Sequence, residues 1–219
     1  MSKLKVSDII EIYEVARKNK TEGQRFPDIW REVKKEFLEL AQKEKVSDPG
    51  QCWKTTSGKA FEKITIEFIL EIVTRKEFRD QGISASSYYD LDAKEKKRLS
   101  YELVRKCTDD RIEISNEPDI IIFKNDRPRV LVSCKSSLRD RVSMDLFWAL
   151  EYSRRNYKYT LVCAETSHAI GSCKKPKKPR KLAEAIYDRL YIVNGDMEYC
   201  DIVRPFHDIE KDLKHWLFG

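Results

Sequence analysis

Apolar residues recur along this chain at two spacings, and the change from one to the other marks out its elements. Ile9, Ile10, Tyr13 and Ala16 share one helical face behind Ser7, which predicts a helix over 7–19 with Ser7 as its N-cap. Ile29, Val33, Phe37 and Leu40 repeat the pattern over 27–43, where Pro27 suits a first helical turn. Residues 48–51, DPGQ, read as a turn. Phe61, Ile64, Phe68 and Ile72 then predict a long apolar helix over 57–75 that should pack on a sheet. A polar, turn-like stretch at 80–90 leads into a charged helix over 91–107, whose charge run reads as a solvated face.

The spacing shortens after residue 110. RIEIS, 111–115, alternates polar and apolar and predicts a short strand. Ile120 to Phe123 and Val130 to Val132 are continuous apolar runs, and the intervening KNDRPR carries the turn residues Asn125, Asp126 and Pro128. The pair reads as a β-hairpin. A helix is expected over 143–157, with Ser143 at its cap and Leu146, Phe147, Leu150 and Tyr152 toward the core. On it Asp145, Trp148 and Glu151 fall three apart and line one stripe. A buried strand over 159–165, a helix over 182–190, a strand over 190–195 and a helix over 208–218 complete the chain. This order predicts an α/β fold, a mixed sheet clad by helices on both faces.

Composition adds bounds. A chain of 219 residues can bury a proper core, and one domain is expected over 1–219: a helical part at 1–50, a core at 57–165 and a C-terminal part at 166–219. No stretch approaches the ~18 uncharged apolar residues of a membrane span, and MSKLKVSDII lacks a signal peptide's apolar region. Six cysteines without a C-x-x-C pair suggest reduced thiols in a cytoplasm rather than disulfides or a zinc site. His168, His207 and His215 follow no metal-ligand spacing. A net charge of +6 permits a polyanion partner without demanding one. The basic run KKPKKPRK, 174–181, cannot be a regular helix across Pro176 and Pro179, and reads as an exposed loop. Lys174, Lys175, Lys177, Lys178 and Arg180 would there lie on phosphates or simply aid solubility.

Chemistry concentrates on the hairpin. Pairing would bring Asp119, ahead of the first strand, near Lys135 at the end of the second. Ser133 and Lys135 share one face, and Cys134 points away. A carboxylate there can hold a hard cation such as Mg2+, while a lysine can orient water and offset negative charge on a phosphoryl group. An edge strand with a solvated lysine would contain the same residues.

Pro118–Asp119 followed by Ser133–Cys134–Lys135 resembles the metal-binding hairpin of the PD-(D/E)XK nucleases, with Ser133 where an Asp or Glu is usual. With Arg139–Asp140–Arg141 just beyond the lysine, it is similar to the type II restriction endonucleases that cut CCGG or CC-x-GG sites. The resemblance spans residues 57–165. It implies a PD-(D/E)XK core with an added N-terminal helical region, Mg2+ as cofactor and double-stranded DNA as substrate. It also implies a prokaryotic cytoplasm and a partner methyltransferase protecting the host. A palindromic site further suggests a homodimer.

In that subgroup the displaced acid comes from the following helix, where Trp148 stands at the best-aligned position. Glu151 is the first candidate here and Asp145 the second. Glu62, in the GKAFE segment, is similar to a metal-shell glutamate of the first core helix, or is a solvated acid beside Lys59 and Lys63. Arg139 and Arg141 offer planar forks for guanine O6 and N7, and Asp140 an acceptor for cytosine N4. A surface salt-bridge cluster is the plainer alternative for this triplet. Two rival functions stay open: a structure-specific nuclease of the same fold, such as a junction resolvase or repair enzyme, and a non-catalytic DNA-binding module.

Overall fold

The computed structural model describes residues 4–19, 26–103, 105–106, 113–114, 117–136, 142–164, 170–193 and 198–218. The expected hairpin forms from β4 (Ile120–Lys124) and β5 (Arg127–Lys135). Its turn is tighter than KNDRPR suggests. Only Asn125 and Asp126 lie between the strands, with φ of 51° and 61°, the doubly left-handed geometry that matches strand twist. The register shifts between Ile122 and Phe123: Val130 faces Ile122 and Pro128 faces Phe123, so Arg129 is the extra residue of a bulge. That bulge lets a proline sit in an interior strand.

Among the described residues six strands form one sheet. Edge strand β1 (Ile83–Ser87) runs antiparallel to β4, and β4 antiparallel to β5. Then β6 (Lys158–Cys163), β7 (Arg189–Ile192) and β8 (Val203–Pro205) add in parallel. The strand alternation divides the core in two. Ile120, Ile122, Val130, Val132 and Cys134 face α1 (Val6–Lys18), α2 (Phe26–Lys43), α3 (Pro49–Val73) and α8 (Ile209–Leu217). Ile121, Phe123, Leu131, Leu161 and Leu190 face α5 (Ala93–Leu103), α6 (Val142–Ser153) and α7 (Lys178–Ile186). A short α4 (Lys76–Arg79) links α3 to β1. Across the first layer Trp30 packs on Trp53 and Phe61 with ring centroids 5.5 and 5.3 Å apart, within the favourable range for aromatic pairs.

Several boundaries differ from the sequence expectation, each for a local reason. DPGQ is not a turn but the start of α3: the Asp48 carboxylate accepts the Gln51 N–H at 2.8 Å and Pro49 occupies the first turn. Ser7 and Ser143 lie inside their helices rather than at the caps. In α1 the Asp8 carboxylate instead accepts the Lys5 N–H. Helix α5 stops at Leu103, and Arg105–Lys106 (β2) pairs with Glu113–Ile114 (β3) in a separate ribbon. ISASS, read as turn-like, is strand β1, and VRP is strand β8. Residues 174–181 are not all loop: Lys177 caps α7, and Pro179 falls in its first turn, where a missing N–H costs no helical bond. Among the described residues no helix is long and apolar enough to cross a membrane.

Candidate active site

Because Ile120 faces Val132 in the antiparallel ladder, Asp119 is delivered opposite the last residues of β5. It is buried, with 6% of its surface exposed. Its Oδ2 accepts the Cys134 backbone N–H at 2.5 Å, with the Ser133 hydroxyl at 3.4 Å and the Lys135 Nζ at 3.6 Å. Asp119's own carbonyl accepts the Tyr88 N–H, and Lys135's accepts the Ala164 N–H, both at 3.2 Å. Both backbones are thus fixed by neighbouring strands. A buried carboxylate is costly unless paired and hydrogen-bonded, and this one has both kinds of partner.

Helix α3 brings a second acid to the corner. An added Cβ on Gly58 would lie 3.6 Å from the Ser136 Oγ, so the helix passes close to the end of β5. Glu62 is one turn further on the same face. Its pKa is raised, first by burial and then by the negative charge of Asp119, against the opposing pull of Lys135, Lys59 and Lys63. Glu62 and Asp119 therefore act as like charges in one site. The Cys134 thiol, turned toward α3, is pushed well up by burial and then by Asp119, which makes it an inert core group.

Tyr89 was not singled out by sequence reasoning. It stands in the 3-10 turn Tyr88–Asp90 after β1 and is exposed, and its pKa is raised by burial and then by Glu62, Asp119 and Glu117. The ring hydroxyl thus lies in the field of both acids. Only recognition of β1 as the strand beside the hairpin would have pointed to it.

The other expected residues are placed as follows. Glu151 is buried on α6 and accepts from the Arg154 guanidinium at 3.2 Å. Trp148 is a core residue stacked on Tyr152. Among the described residues no three of His, Cys, Asp and Glu gather as a metal site, so Asp119, Glu62 and Glu151 do not close on one point. The side chain of Asp145 and the whole triplet Arg139–Asp140–Arg141 lie outside the described residues. Lys174, Lys175, Lys177 and Lys178 are exposed.

Arg180 departs from the expectation of a phosphate contact, for it is wholly buried. It pairs with Glu184 at 2.7 Å, donates to the carbonyls of Gly171 and Glu198, and reaches the sulfurs of Cys173 and Cys200 at 2.9 and 3.3 Å.

The whole chain resembles a solved nuclease. Over 99% of this chain and 94% of the other, it superposes with a TM-score of 0.61 and 19% identity on restriction endonuclease AgeI, determined as a specific DNA complex. A pre-specific DNA complex of BsaWI gives a TM-score of 0.43 at 16% identity, covering 97% and 88% of the two chains. No curated protein sequence matches. A mixed sheet between helical layers, with a buried aspartate heading a central hairpin and a lysine ending it, is a nuclease core of the PD-(D/E)XK type. The sequence model of the BsaWI restriction endonuclease type 2 family matches residues 102–212, and the chain belongs to that family. It is a site-specific deoxyribonuclease.

Proposed function

We propose that this endonuclease hydrolyses double-stranded DNA with Mg2+ at a short palindrome of adjacent C·G pairs, of the CCGG or CC-x-GG kind. The observation that carries the reading is the placement of Lys135 and Ser133 around the buried Asp119 carboxylate. Type II restriction endonucleases generally need a divalent metal ion, and the corner suits a hard one. Asp119 and Glu62 are oxygen donors whose mutual repulsion a cation would relieve, and magnesium keeps several waters, so two carboxylates suffice. Held there by Asp119 and Glu62, such an ion would supply Lewis acidity toward a phosphoryl oxygen and toward water.

The chain's own groups do the rest. Lys135 holds the attacking water by a hydrogen bond and offsets charge building on the phosphoryl oxygens. Ser133, neutral where PD-(D/E)XK nucleases usually carry an acid, leaves the second carboxylate to a helix: Glu62 of α3, or Glu151 or Asp145 of α6. Arg139, Asp140 and Arg141 read the bases, and Lys174, Lys175, Lys177 and Lys178 contact phosphates. The active form is a homodimer, one site for each strand. Phe147 and Leu150, expected toward the core, are instead exposed three residues apart on α6, and this apolar pair supports that reading. A methyltransferase that modifies the same site would protect the host DNA.

The test is digestion of a plasmid panel with Mg2+ or with EDTA, and sequencing of the ends. Discrete fragments ending in C·G-rich palindromes, formed only with the metal, are expected. Cleavage at junctions alone, or ends without C·G pairs, would replace this reading with another.

A further inference from the structure

The strands that carry the catalytic corner end, at their other extremity, on a concave basic surface. A cavity of about 600 Å³ opens at the hairpin turn, lined by Lys124, Asn125, Arg127, Arg129, Lys158 and Trp216 among others. Asp119 is five residues from Lys124, and Arg127 eight from Lys135. At ~3.3 Å per residue the pocket lies roughly 16–26 Å from the corner along the strands. One phosphate cannot touch both.

The charges of this pocket are unevenly satisfied. Lys158 is held by Asp188 at 2.8 Å, and Lys124 donates to the Leu217 carbonyl at 2.5 Å. Arg127 and Arg129 have no hydrogen-bond or ion-pair partner among the described residues, and both are exposed. The bulge is what sets them together: Arg129 is the residue skipped by the register, and a bulge re-aims the side chain it carries. Two guanidinium forks with no partner among the described residues, beside two ammonium groups, form a cationic cradle. Guanidinium matches phosphate oxygens bidentately, and Trp216, with Arg189 over one face of its ring, adds an aromatic edge to the lining.

We propose that this pocket is a second anion site, apart from the catalytic corner, and that its ligand is the phosphate of a nucleotide, either free or within a nucleic-acid strand. A phosphate fits better than a carboxylate, since two arginines and two lysines line a space large enough for a nucleotide and Trp216 flanks it. The site does not depend on the proposed cleavage chemistry.

Calorimetry on the full chain tests it with two probes, dCMP and a 12-bp duplex of A·T pairs only. Both are titrated into wild type, the Arg127→Ala/Arg129→Ala variant and the Asp119→Ala variant. The double variant should bind at least one probe ten or more times more weakly, while Asp119→Ala leaves that binding unchanged. Loss of dCMP binding identifies a free nucleotide, and loss confined to the duplex identifies a strand. Both arginines are exposed and, among the described residues, unpaired, so the variant should fold, and Arg129→Gln alone gives a second reading of the same direction. If the double variant binds both probes with less than a tenfold loss, or wild type binds neither at millimolar concentration, the proposal is wrong. Cleavage failing with dCMP binding intact would instead count against the catalytic reading.

Discussion

Lys135 Nζ lies 3.6 Å from Asp119 Oδ2, both at the open end of the hairpin, away from its turn. The separation is longer than a strong charge-assisted hydrogen bond, so the two groups form a loose ion pair rather than a tight one. Asp119→Ala is expected to abolish DNA cleavage while preserving DNA binding in a gel-shift assay. Lys135→Ala should lower the single-turnover rate by at least ~10²-fold, the scale of losing one preorganised charge-stabilising donor. Near-normal cutting by either variant would remove the pair from the mechanism.

The second acid is open to direct competition between two helices. Glu62 feels the charge of Asp119, whereas Glu151 is engaged with Arg154. Glu62→Ala should slow cleavage by ~10²-fold or more and raise the Mg2+ concentration needed for half-maximal rate. A dead Glu151→Ala beside a fully active Glu62→Ala would move the acid to α6, as the resemblance to the CCGG-cutting subgroup implies.

The exposed lysines at 174, 175, 177 and 178 should supply sequence-independent affinity. Each lost phosphate contact should reduce the log–log salt slope of binding by roughly 0.9. The fourfold alanine variant is therefore expected to bind cognate and non-cognate duplexes about equally more weakly, with a flatter slope. An unchanged slope would return these residues to the role of a soluble surface.

Arg180 should matter to stability instead. Truncation to Ala would strand Glu184 and remove the donor to the Gly171 and Glu198 carbonyls. A cost of about 3 kcal/mol is expected, at the lower end for breaking a buried pair because Glu184 is partly exposed. Denaturant midpoints would measure it, and a difference below the scatter of replicate curves would contradict the clasp.

Acid should loosen the same clasp. Burial raises the Glu184 pKa, but hydrogen bonds from Arg180 and Cys200 outweigh it and the net shift is downward. A group with a depressed folded pKa contributes stability above its ordinary value, about 4.3 for Glu, and loses it as pH falls through the lower folded value. Glu184→Gln should be less stable at neutral pH and lose less stability below about pH 4.3 than wild type. Parallel pH profiles for the two proteins would show that the pair adds no acid sensitivity.

What could be read from the sequence follows the physics of each element. The hairpin and α3 are written in side-chain periodicity, and Asp119 and Lys135 follow from strand alternation. Strand β1 is not written that way: ISASS is held mainly by backbone bonding to β4, which leaves no trace in polarity. Asp48-Pro49-Gly50 serves a turn or a helix start equally well, and the chain uses the second. Arg180 looked like one of six solvated cations, yet the helix beginning at Lys178 places it four residues before Glu184, inside the fold.

The hairpin also sets the order in which the catalytic corner comes together as the chain folds. Asp119 and the Cys134 amide that anchors it are fifteen residues apart, joined across a two-residue turn. Closing so short a loop costs little chain entropy, so acid and lysine meet as soon as these two strands zip. Glu62 reaches them only when α3 docks from outside the hairpin, a slower, long-range event. During refolding, DNA-cutting activity should therefore lag behind β-sheet formation and rise with the burial of the α3 aromatic residues.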